Sequence, residues 1–278
     1  MSLKKIKNKA YAKINLFLSI TGIREDGYHI LSSIMQTVSL YDTVTVKKAD
    51  KLNCICGEIP SQKNIAYKAV RALEEISGKE LPAEIKIKKR IPDKAGLGGG
   101  SADAAAAMRA VIKLYDLNLN DEEIISAAAK AGADVPFLYF GGAALCRGIG
   151  EIMERKAPLP DCFIVIAKPE KGNSTPEMFR RFDEAGKMSA PPEKEFSEAL
   201  EKGDLNEIAS LLKNDLFPFD MSGEALPLKE KLLALGAVNS EMTGSGTAVF
   251  ALFDDKKKAK KALKALKKNY KAYLVKPI

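Results

Sequence analysis

The chain has 278 residues, of which 46% are hydrophobic and 29% are charged, a composition typical of a folded globular protein rather than a disordered or fibrous one. Its net charge is +8, but the ten lysines from Lys256 to Lys276 stand in a segment without acidic residues, so residues 1–255 carry −2. No apolar run reaches the ~18 residues of a membrane span, and the N-terminus lacks the apolar core of a signal peptide, so we expect a cytoplasmic protein without a membrane partner.

The first predicted elements are two strands and a helix. The apolar run over residues 14–20 and the alternating segment Thr43–Val46 predict the strands. Asn64 can cap a helix whose apolar face repeats at helical spacing and which ends before Gly78. The chain therefore begins as a mixed sheet-and-helix fold.

A glycine-rich turn between a strand and a helix is the strongest local pattern. The alternation from Ile85 to Ile91 predicts a strand that leads to Pro92, and the loop Gly96-Leu97-Gly98-Gly99-Gly100-Ser101 precedes an alanine-rich helix over residues 102–115. Glycine lets backbone N–H groups approach an anion, and a helix N-terminus adds unpaired N–H groups. The spacing is that of neither a Walker A loop nor a dinucleotide fingerprint. The pattern predicts a phosphate site, with a purely conformational turn as the alternative.

The remaining elements continue the α+β pattern. Asn120 and Glu123 predict a capping box for a helix that runs to Gly132, which places Asp134 just beyond its end. A proline-containing connector at residues 156–161 predicts two domains. Their expected bounds are residues 1–158 and 159–278. In the second domain the patterns predict strands over 163–167 and 247–253, and helices over 176–184, 196–213, 224–235 and from 256 onward.

Cysteine and histidine are too sparse for several kinds of site. The four cysteines, Cys54, Cys56, Cys146 and Cys162, match neither paired zinc knuckles nor a dense disulfide framework, so we expect reduced structural thiols and no metal site. His29 is the sole histidine of the chain, so a His-rich zinc site or a Ser-His-Asp hydrolase would depend on that one residue. Both classes are disfavoured.

Five motifs in chain order resemble those of the GHMP kinases. They are Ala-Lys-Ile-Asn-Leu at 12–16, Asp-Gly-Tyr-His at 26–29, the glycine loop at 92–101, Gly-Ala-Asp-Val-Pro at 132–136 and Met-Thr-Gly-Ser-Gly at 242–246. Together they resemble the family within that superfamily that phosphorylates 4-diphosphocytidyl-2-C-methyl-D-erythritol, over nearly the whole chain. The resemblance implies an α+β, two-domain GHMP kinase fold, with a ribosomal S5 domain 2-like N-terminal domain and a ferredoxin-like C-terminal domain.

The same resemblance implies a reaction. ATP would phosphorylate the 2-hydroxyl of the cytidine-diphospho sugar alcohol, on the non-mevalonate route to isoprenoid precursors. Many relatives have a serine pair where Gly99 and Gly100 stand, so we expect Mg²⁺ to be held by the ATP phosphates and water rather than directly by the protein. Another GHMP small-molecule kinase, or a non-enzymatic RNA-binding protein, stays open as an alternative.

The matched motifs also assign roles to residues. Asp134 would be the catalytic base, and Lys13 its cationic partner. The ATP site would contain Pro92, Gly96, Leu97, Gly98, Gly99, Gly100 and Ser101. The substrate site would contain Asn15, Tyr28, His29, Asp134, Thr175, Phe179 and Gly244, with Tyr28 and Phe179 stacking on the base and His29 reading its edge.

Simpler structural roles remain open for four of these residues. Asp134 has the position of a residue in a turn at a helix end, and Lys13 could be a solvated lysine on a strand. His29 could be a hydrogen-bonded structural histidine. Phe179 could be a core residue of its helix, since Phe182 lies three positions on.

The lysine-rich C-terminal segment predicts an amphipathic helix whose apolar face carries Ala259, Ala262, Leu263 and Leu266. Binding to nucleic acid or to an anionic membrane is the alternative for such a charge run. The segment contains no arginine, and Tyr270 and Tyr273 are its aromatic residues, which is poor material for reading or stacking on bases. We therefore expect no nucleic-acid partner, and the pattern indicates no oligomeric state.

Overall fold

The computed structural model describes residues 5–185 and 187–278, which form two compact units. The first unit comprises the described part of Met1–Ala12 together with Leu40–Ile91 and Gly98–Gly141, and the second comprises Lys13–Ser39, Pro92–Leu97 and Gly142–Ile278. The units interleave along the chain because the first two strands each contribute residues to both. The domain boundary after residue 158 stays a prediction.

The first elements of the chain are long strands followed by helices. In chain order they are β1 (Lys5–Ile23), β2 (His29–Lys48), β3 (Asn53–Ile55), α1 (Ile65–Ser77), β4 (Ala83–Lys88), α2 (Gly99–Tyr115), α3 (Asp121–Ala131) and α4 (Val135–Phe140). In the first unit β4 lies between β3 and β2, parallel to β3 and antiparallel to β2. The alanine-rich α2 is buried over most of its residues, because small side chains let it pack closely against α1 and α4.

Two asparagines begin helices where the sequence predicts them. Asn64 accepts a hydrogen bond from the Ala66 N–H at 2.9 Å, and α1 ends at Gly78 in the left-handed conformation. Asn120 and Glu123 make both hydrogen bonds of a capping box at α3. The side chains thus pair N–H groups that a first helical turn leaves without intrahelical partners.

The remaining elements belong to the second unit. They are β5 (Ala143–Gly148), β6 (Ile152–Lys156), β7 (Phe163–Lys168), α5 (Thr175–Ala185), α6 (Glu193–Lys202), α7 (Leu205–Ser210), β8 (Lys213–Asn214), α8 (Ala225–Ala234), β9 (Asn239–Met242), β10 (Val249–Phe253), α9 (Lys256–Leu266) and β11 (Lys271–Val275). β5 pairs with β2 and β6, and β8 pairs in parallel with β1. A four-stranded antiparallel sheet has the order β11-β7-β10-β9.

The apolar sides of that sheet and of α8 and α9 form the core of the second unit. α9 buries Ala259, Ala262 and Leu266 in this core, and the lysines of the helix are exposed. The predicted amphipathic helix is therefore confirmed. In the part of the chain that the structure describes, none of the helices has the length and apolar character that crossing a membrane requires.

One predicted helix is wrong. The segment expected to be a continuous helix over 196–213 divides into α6 and α7, because Gly203 ends α6 in the left-handed conformation at φ +68°. Asp204 then caps α7, accepting hydrogen bonds from the N–H groups of Asn206 and Glu207. α7 ends at Ser210, and Lys213, the last residue predicted to be helical, lies in β8.

Candidate active site

Lys13 and Asn15 lie two residues apart on β1, and their side chains meet. The Lys13 Nζ atom donates to Asn15 Oδ1 at 2.6 Å, and Asn15 Nδ2 donates to the Ser33 hydroxyl on β2 at 2.8 Å. Lys13 is only 4% exposed and Asn15 only 1%. Lys13 is therefore a buried cation held by an amide, and the alternative of a solvated strand lysine is wrong.

Thr243 connects this strand to two turns. The Asn15 N–H donates to Thr243 Oγ1 at 3.0 Å, and the Thr243 hydroxyl lies 3.2 Å from the Gly96 carbonyl oxygen and 3.3 Å from Asn15 Oδ1. A hydroxyl carries one proton, so it donates to one of these oxygens at a time. The sequence prediction selected the neighbouring Gly244 and missed Thr243, although a hydroxyl before Gly-Ser-Gly was its visible signal.

Gly96 and Gly244 allow the two turns to touch. Gly96 has φ +72°, and a β-carbon there would lie 1.9 Å from the Thr243 carbonyl oxygen. Gly244 has φ +57°, and its carbonyl accepts a hydrogen bond from Asn214 Nδ2 at 2.9 Å. Both glycines are thus required by conformation, and the first also by space.

The remaining loop residues begin α2 in the first unit. Gly98 is the N-cap at φ +67°, and α2 starts at Gly99, three residues earlier than predicted. This start places Gly99, Gly100 and Ser101 in the first turn of a 17-residue helix, where N–H groups have no carbonyl four residues back to bind. Such an N-terminus, free of bulky side chains at its first two positions, suits an anion.

A buried ion cluster lies beside this turn. The Lys89 Nζ atom donates to Asp42 Oδ2 at 2.5 Å and to Asp103 Oδ2 on α2 at 2.7 Å. Asp42 also accepts hydrogen bonds from the N–H groups of Arg90 and Ile91. A β-carbon on Gly99 would lie 3.3 Å from Lys89 Nζ. The cluster therefore fixes the chain just before the glycine loop.

The two carboxylates of this cluster compete for one ammonium group. Burial raises the pKa of Asp103 to about 7, with the charge of Asp42 adding to the rise and Lys89 opposing it. Burial by itself would lower the pKa of Lys89, but Asp103 and Asp42 together raise it. Asp103 Oδ1 is buried and has no hydrogen-bond partner among the described residues. The ionised form of Asp103 is therefore poorly stabilised by its surroundings.

Asp134 stands between two helices of the first unit. It is the N-cap residue of α4, a short helix that the sequence analysis did not predict, and its carbonyl accepts from the Leu138 N–H at 3.1 Å. Gly132 ends α3 two residues earlier. The candidate base therefore occupies a short corner fixed by helices on both sides.

Aromatic and polar groups around β2 and α5 form the rest of the candidate site. The His29 ring stacks on Phe179 with ring centroids 4.5 Å apart, and His29 Nε2 lies 2.7 Å from Asp183 Oδ1. Tyr28 is 63% exposed, after a turn in which Gly27 has φ +84°. The sequence analysis assigned His29 and Phe179 to one substrate site without predicting their contact, and Asp183 is a partner that it missed.

Thr175 and the Thr243–Gly246 turn also meet. The Thr175 hydroxyl lies 2.6 Å from the Ser245 hydroxyl, and Asn173 Nδ2 donates to the Ser245 carbonyl at 3.0 Å. The start of α5 is therefore tied to that turn. Asp134 and Gly98–Ser101 belong to the first unit, and the other predicted site residues belong to the second.

Sequence and structure comparisons place the chain among known kinases. The pattern of the GHMP kinases N terminal domain matches residues 64–142, and that of the GHMP kinases C terminal domain matches residues 196–272. Two curated relatives, both 4-diphosphocytidyl-2-C-methyl-D-erythritol kinases, are similar over nearly their full length. The Clostridium beijerinckii protein is 40% identical over 272 residues, covering 96% of this chain and 97% of its own. The Carboxydothermus hydrogenoformans protein is 41% identical over 276 residues, covering 96% and 95%.

Solved structures agree with these matches. A crystal structure of 4-(cytidine 5'-diphospho)-2C-methyl-D-erythritol kinase superposes with a TM-score of 0.84 at 32% identity, covering 98% of this chain and 99% of that one. The homoserine kinase of Cytophaga hutchinsonii superposes with a TM-score of 0.74 at 20% identity, over 99% and 96%, which shows a shared fold. The predicted α+β, two-domain GHMP kinase fold is confirmed. The chain belongs to the 4-diphosphocytidyl-2-C-methyl-D-erythritol kinase family of the GHMP kinases.

Proposed function

We propose that this protein transfers the γ-phosphoryl group of ATP to the 2-hydroxyl of 4-diphosphocytidyl-2-C-methyl-D-erythritol, on the non-mevalonate route to isoprenoid precursors. The observation that carries the proposal is about 40% identity, over nearly the full length, to kinases named for this substrate. Phosphoryl transfer depends on positioning and charge stabilisation, so it needs an anion cradle, cations and a group that orients the attacking hydroxyl. The candidate site offers a group of each kind.

ATP binding is assigned to the glycine loop from Pro92 to Ser101. The N–H groups in the first turn of α2 and the positive end of the helix dipole are suited to the ATP phosphates. The left-handed Gly98 turns the chain into that helix. The Lys89 cluster supports the proposal because it holds the backbone on the other side of the loop.

Mg²⁺ is proposed to arrive with ATP and to neutralise charge on the phosphates. No cluster of three or more His, Cys, Asp or Glu side chains suited to a metal occurs within residues 5–185 and 187–278. Mg²⁺ keeps several waters and binds largely through nucleotide phosphates in many kinase sites. The residues present are compatible with a metal carried by ATP and water.

The chemical step assigned to the chain is proton removal from the substrate hydroxyl. As that oxygen bonds to the γ-phosphorus and the bond to the β–γ bridging oxygen breaks, Asp134 accepts the hydroxyl proton and ADP leaves. Lys13 is the cation that stabilises the developing negative charge, and Asn15 holds its ammonium group at 2.6 Å. Burial of Lys13 strengthens this electrostatic effect, because water screens it little.

The cytidine end of the substrate is assigned to Tyr28, His29 and Phe179. The exposed ring of Tyr28 is available for stacking on a base, which is worth ~1 to 3 kcal/mol. His29 offers its ring edge and backbone for hydrogen bonds, with its ring plane fixed by Phe179. Gly244 belongs to the Thr243–Gly246 turn and Thr175 contacts that turn, and both residues are proposed to line the same pocket.

The decisive experiment is incubation of the protein with ATP, Mg²⁺ and 4-diphosphocytidyl-2-C-methyl-D-erythritol, followed by phosphorus NMR of the product. A new phosphomonoester at the 2-position is expected. Homoserine and mevalonate test the alternative of another GHMP kinase, and turnover of either in preference to the cytidine substrate would overturn the proposal.

Tyr28→Ala is expected to raise the KM for the cytidine substrate about tenfold with little effect on ATP. Gly98→Val is expected to weaken ATP binding, because valine rarely adopts φ +67°.

A further inference from the structure

One helix contacts the His29 ring with two side chains. Phe179 and Asp183 lie four residues apart on α5 and therefore on the same face. Phe179 stacks on the ring, with the planes inclined by 27°, and Asp183 Oδ1 lies 2.7 Å from Nε2. The first contact fixes the plane of the imidazole, and the second fixes its rotation within that plane.

The contact with Asp183 also determines where the proton of the ring lies. A carboxylate only accepts hydrogen bonds, so His29 Nε2 must carry the hydrogen in this pair. In a neutral imidazole one nitrogen carries hydrogen and the other carries a lone pair. With Nε2 protonated, Nδ1 is the acceptor of the neutral ring.

The arginines of α5 pair with carboxylates other than Asp183. Arg180 pairs with Glu177 and Glu184, and Arg181 pairs with Glu177. The two guanidinium groups of the helix are thus directed to the other carboxylates. The His29 side chain is 12% exposed and that of Asp183 is 42% exposed, so the imidazole ring is mostly out of water while its partner carboxylate still reaches solvent.

The state of Nδ1 has a consequence for base recognition. Cytosine presents an exocyclic amino group, a hydrogen-bond donor, where uracil presents a carbonyl oxygen, an acceptor. A lone pair on Nδ1 matches the amino group and repels the carbonyl oxygen. The Nδ1–H form would reverse that preference.

We propose that Asp183 is a positioning residue that holds His29 in the Nε2–H form, and that the resulting acceptor at Nδ1 selects cytosine over uracil. The selectivity part rests on the proposed function, because it assigns the base to His29. The proton position does not depend on that function.

The first test reads the proton position directly. Because His29 is the sole histidine, protein grown with ¹⁵N-labelled histidine gives imidazole signals from this residue alone in a long-range ¹H–¹⁵N correlation spectrum. On the alkaline plateau of a pH titration we expect Nε2 as the N–H nitrogen and Nδ1 as the unprotonated one. Asp183→Ala is expected to give a mixture of the two forms. A dominant Nδ1–H form in the native protein, or an unchanged spectrum in Asp183→Ala, would overturn the proposal.

The second test measures selectivity. We expect Asp183→Ala to lower the ratio of kcat/KM for the cytidine substrate to that for its uridine counterpart by about tenfold, the effect of about one hydrogen bond. Asp183→Asn, whose amide oxygen can still accept from Nε2, is expected to restore part of the ratio. Glu184→Gln is the matched control, since this neighbouring carboxylate pairs with Arg180, and its ratio should equal that of the native protein.

The two proposals fail in different ways. If the native protein phosphorylates neither substrate, the proposed function is wrong, and the NMR spectrum still decides the role of Asp183 in placing the proton. If the native protein is active and Asp183→Ala keeps the native ratio, Asp183 does not control selectivity.

Discussion

The Thr243 carbonyl oxygen occupies the place that a side chain on Gly96 would need. A β-carbon built on Gly96 would lie 1.9 Å from that oxygen and 2.8 Å from the Thr243 carbonyl carbon. Real β-carbons do not approach backbone atoms so closely, and neither atom belongs to a flexible side chain. The backbones of two turns distant in the chain are therefore in direct contact.

Gly96→Ala is expected to destabilise the protein through this contact as well as through its left-handed backbone. Gly203→Ala is the matched control, since Gly203 has φ +68° and open space around its β-carbon position. The control should lose about 1 to 2 kcal/mol of unfolding free energy from backbone strain. Urea unfolding should show a clearly larger loss for Gly96→Ala, and equal losses would mean that the turns separate without cost.

Asp134→Asn is expected to lower kcat by about 10² to 10⁴ while both substrates still bind, because the amide keeps the shape of the carboxylate but accepts no proton. Lys13→Met should also lower kcat. The double variant should be little worse than the poorer single variant, since the two residues are proposed to act as one unit. Single-turnover kinetics would measure all three, and near-native turnover by Asp134→Asn would remove it from the base role.

The stability of the folded protein should depend on pH through Asp103. Its pKa is about 7 in the folded state, against an ordinary value of 3.8, so between these values the folded state binds more protons than the unfolded state. The contribution of Asp103 to stability is therefore present below about pH 4 and is lost as the pH rises to about 7. Asp103→Asn removes this loss, so the free energy of unfolding of the variant should rise relative to that of the native protein across the window. Asp50→Asn, at an exposed aspartate, should show no such trend.

The four thiols should be unreactive in the native protein. Cys54, Cys56, Cys146 and Cys162 are buried thiols, and burial raises the pKa of Cys54 and of Cys162 to about 12. The thiolate is the reactive form, so both low access and low thiolate content slow modification. We expect a thiol reagent at pH 8 to modify all four after unfolding and none before. Rapid labelling without loss of native circular dichroism would contradict this.

Replacing several α9 lysines between Lys256 and Lys264 by glutamine should leave kinase activity nearly unchanged. These side chains are exposed, while Ala259 and Ala262 pack the helix onto the core. Binding of RNA near physiological salt should be weak before and after the change, because lysine contacts to phosphates lose affinity steeply with salt. Tight binding that falls in the variant would support the RNA-binding alternative.

Local chemistry made much of this fold predictable. The caps at Asn64 and Asn120 satisfy N–H groups a few residues away, so the responsible atoms are visible in a short window of sequence. Runs of apolar residues likewise identified residues 14–20 and 163–167 within β1 and β7. A single glycine within a helical pattern is a weaker signal. At Gly203 the predicted helix therefore continued past the point where α6 ends.

Contacts between distant residues were beyond such reasoning. The pairing of His29 with Asp183 joins residues 154 positions apart, and nothing near either residue indicates the other. The same is true of Thr243 and Asn15, 228 positions apart. Family motifs identified Asn15 and His29 as site residues. Asp183, which binds His29, lies outside those motifs, and Thr243, which binds Asn15, lies next to the selected Gly244.

The register of β1 has a consequence for how this chain can vary. Phe17 and Leu18 pair with Lys213 and Asn214 of β8, and the Asn214 side chain binds the carbonyl of Gly244. Because successive side chains of a strand point to opposite faces, inserting or deleting one residue between Lys13 and Phe17 would put an apolar neighbour in the place of Lys13. Changes of length are therefore tolerable in the turns around β1 but not within its central stretch, so the spacing of this strand limits the evolution of the site as strictly as the identity of its residues.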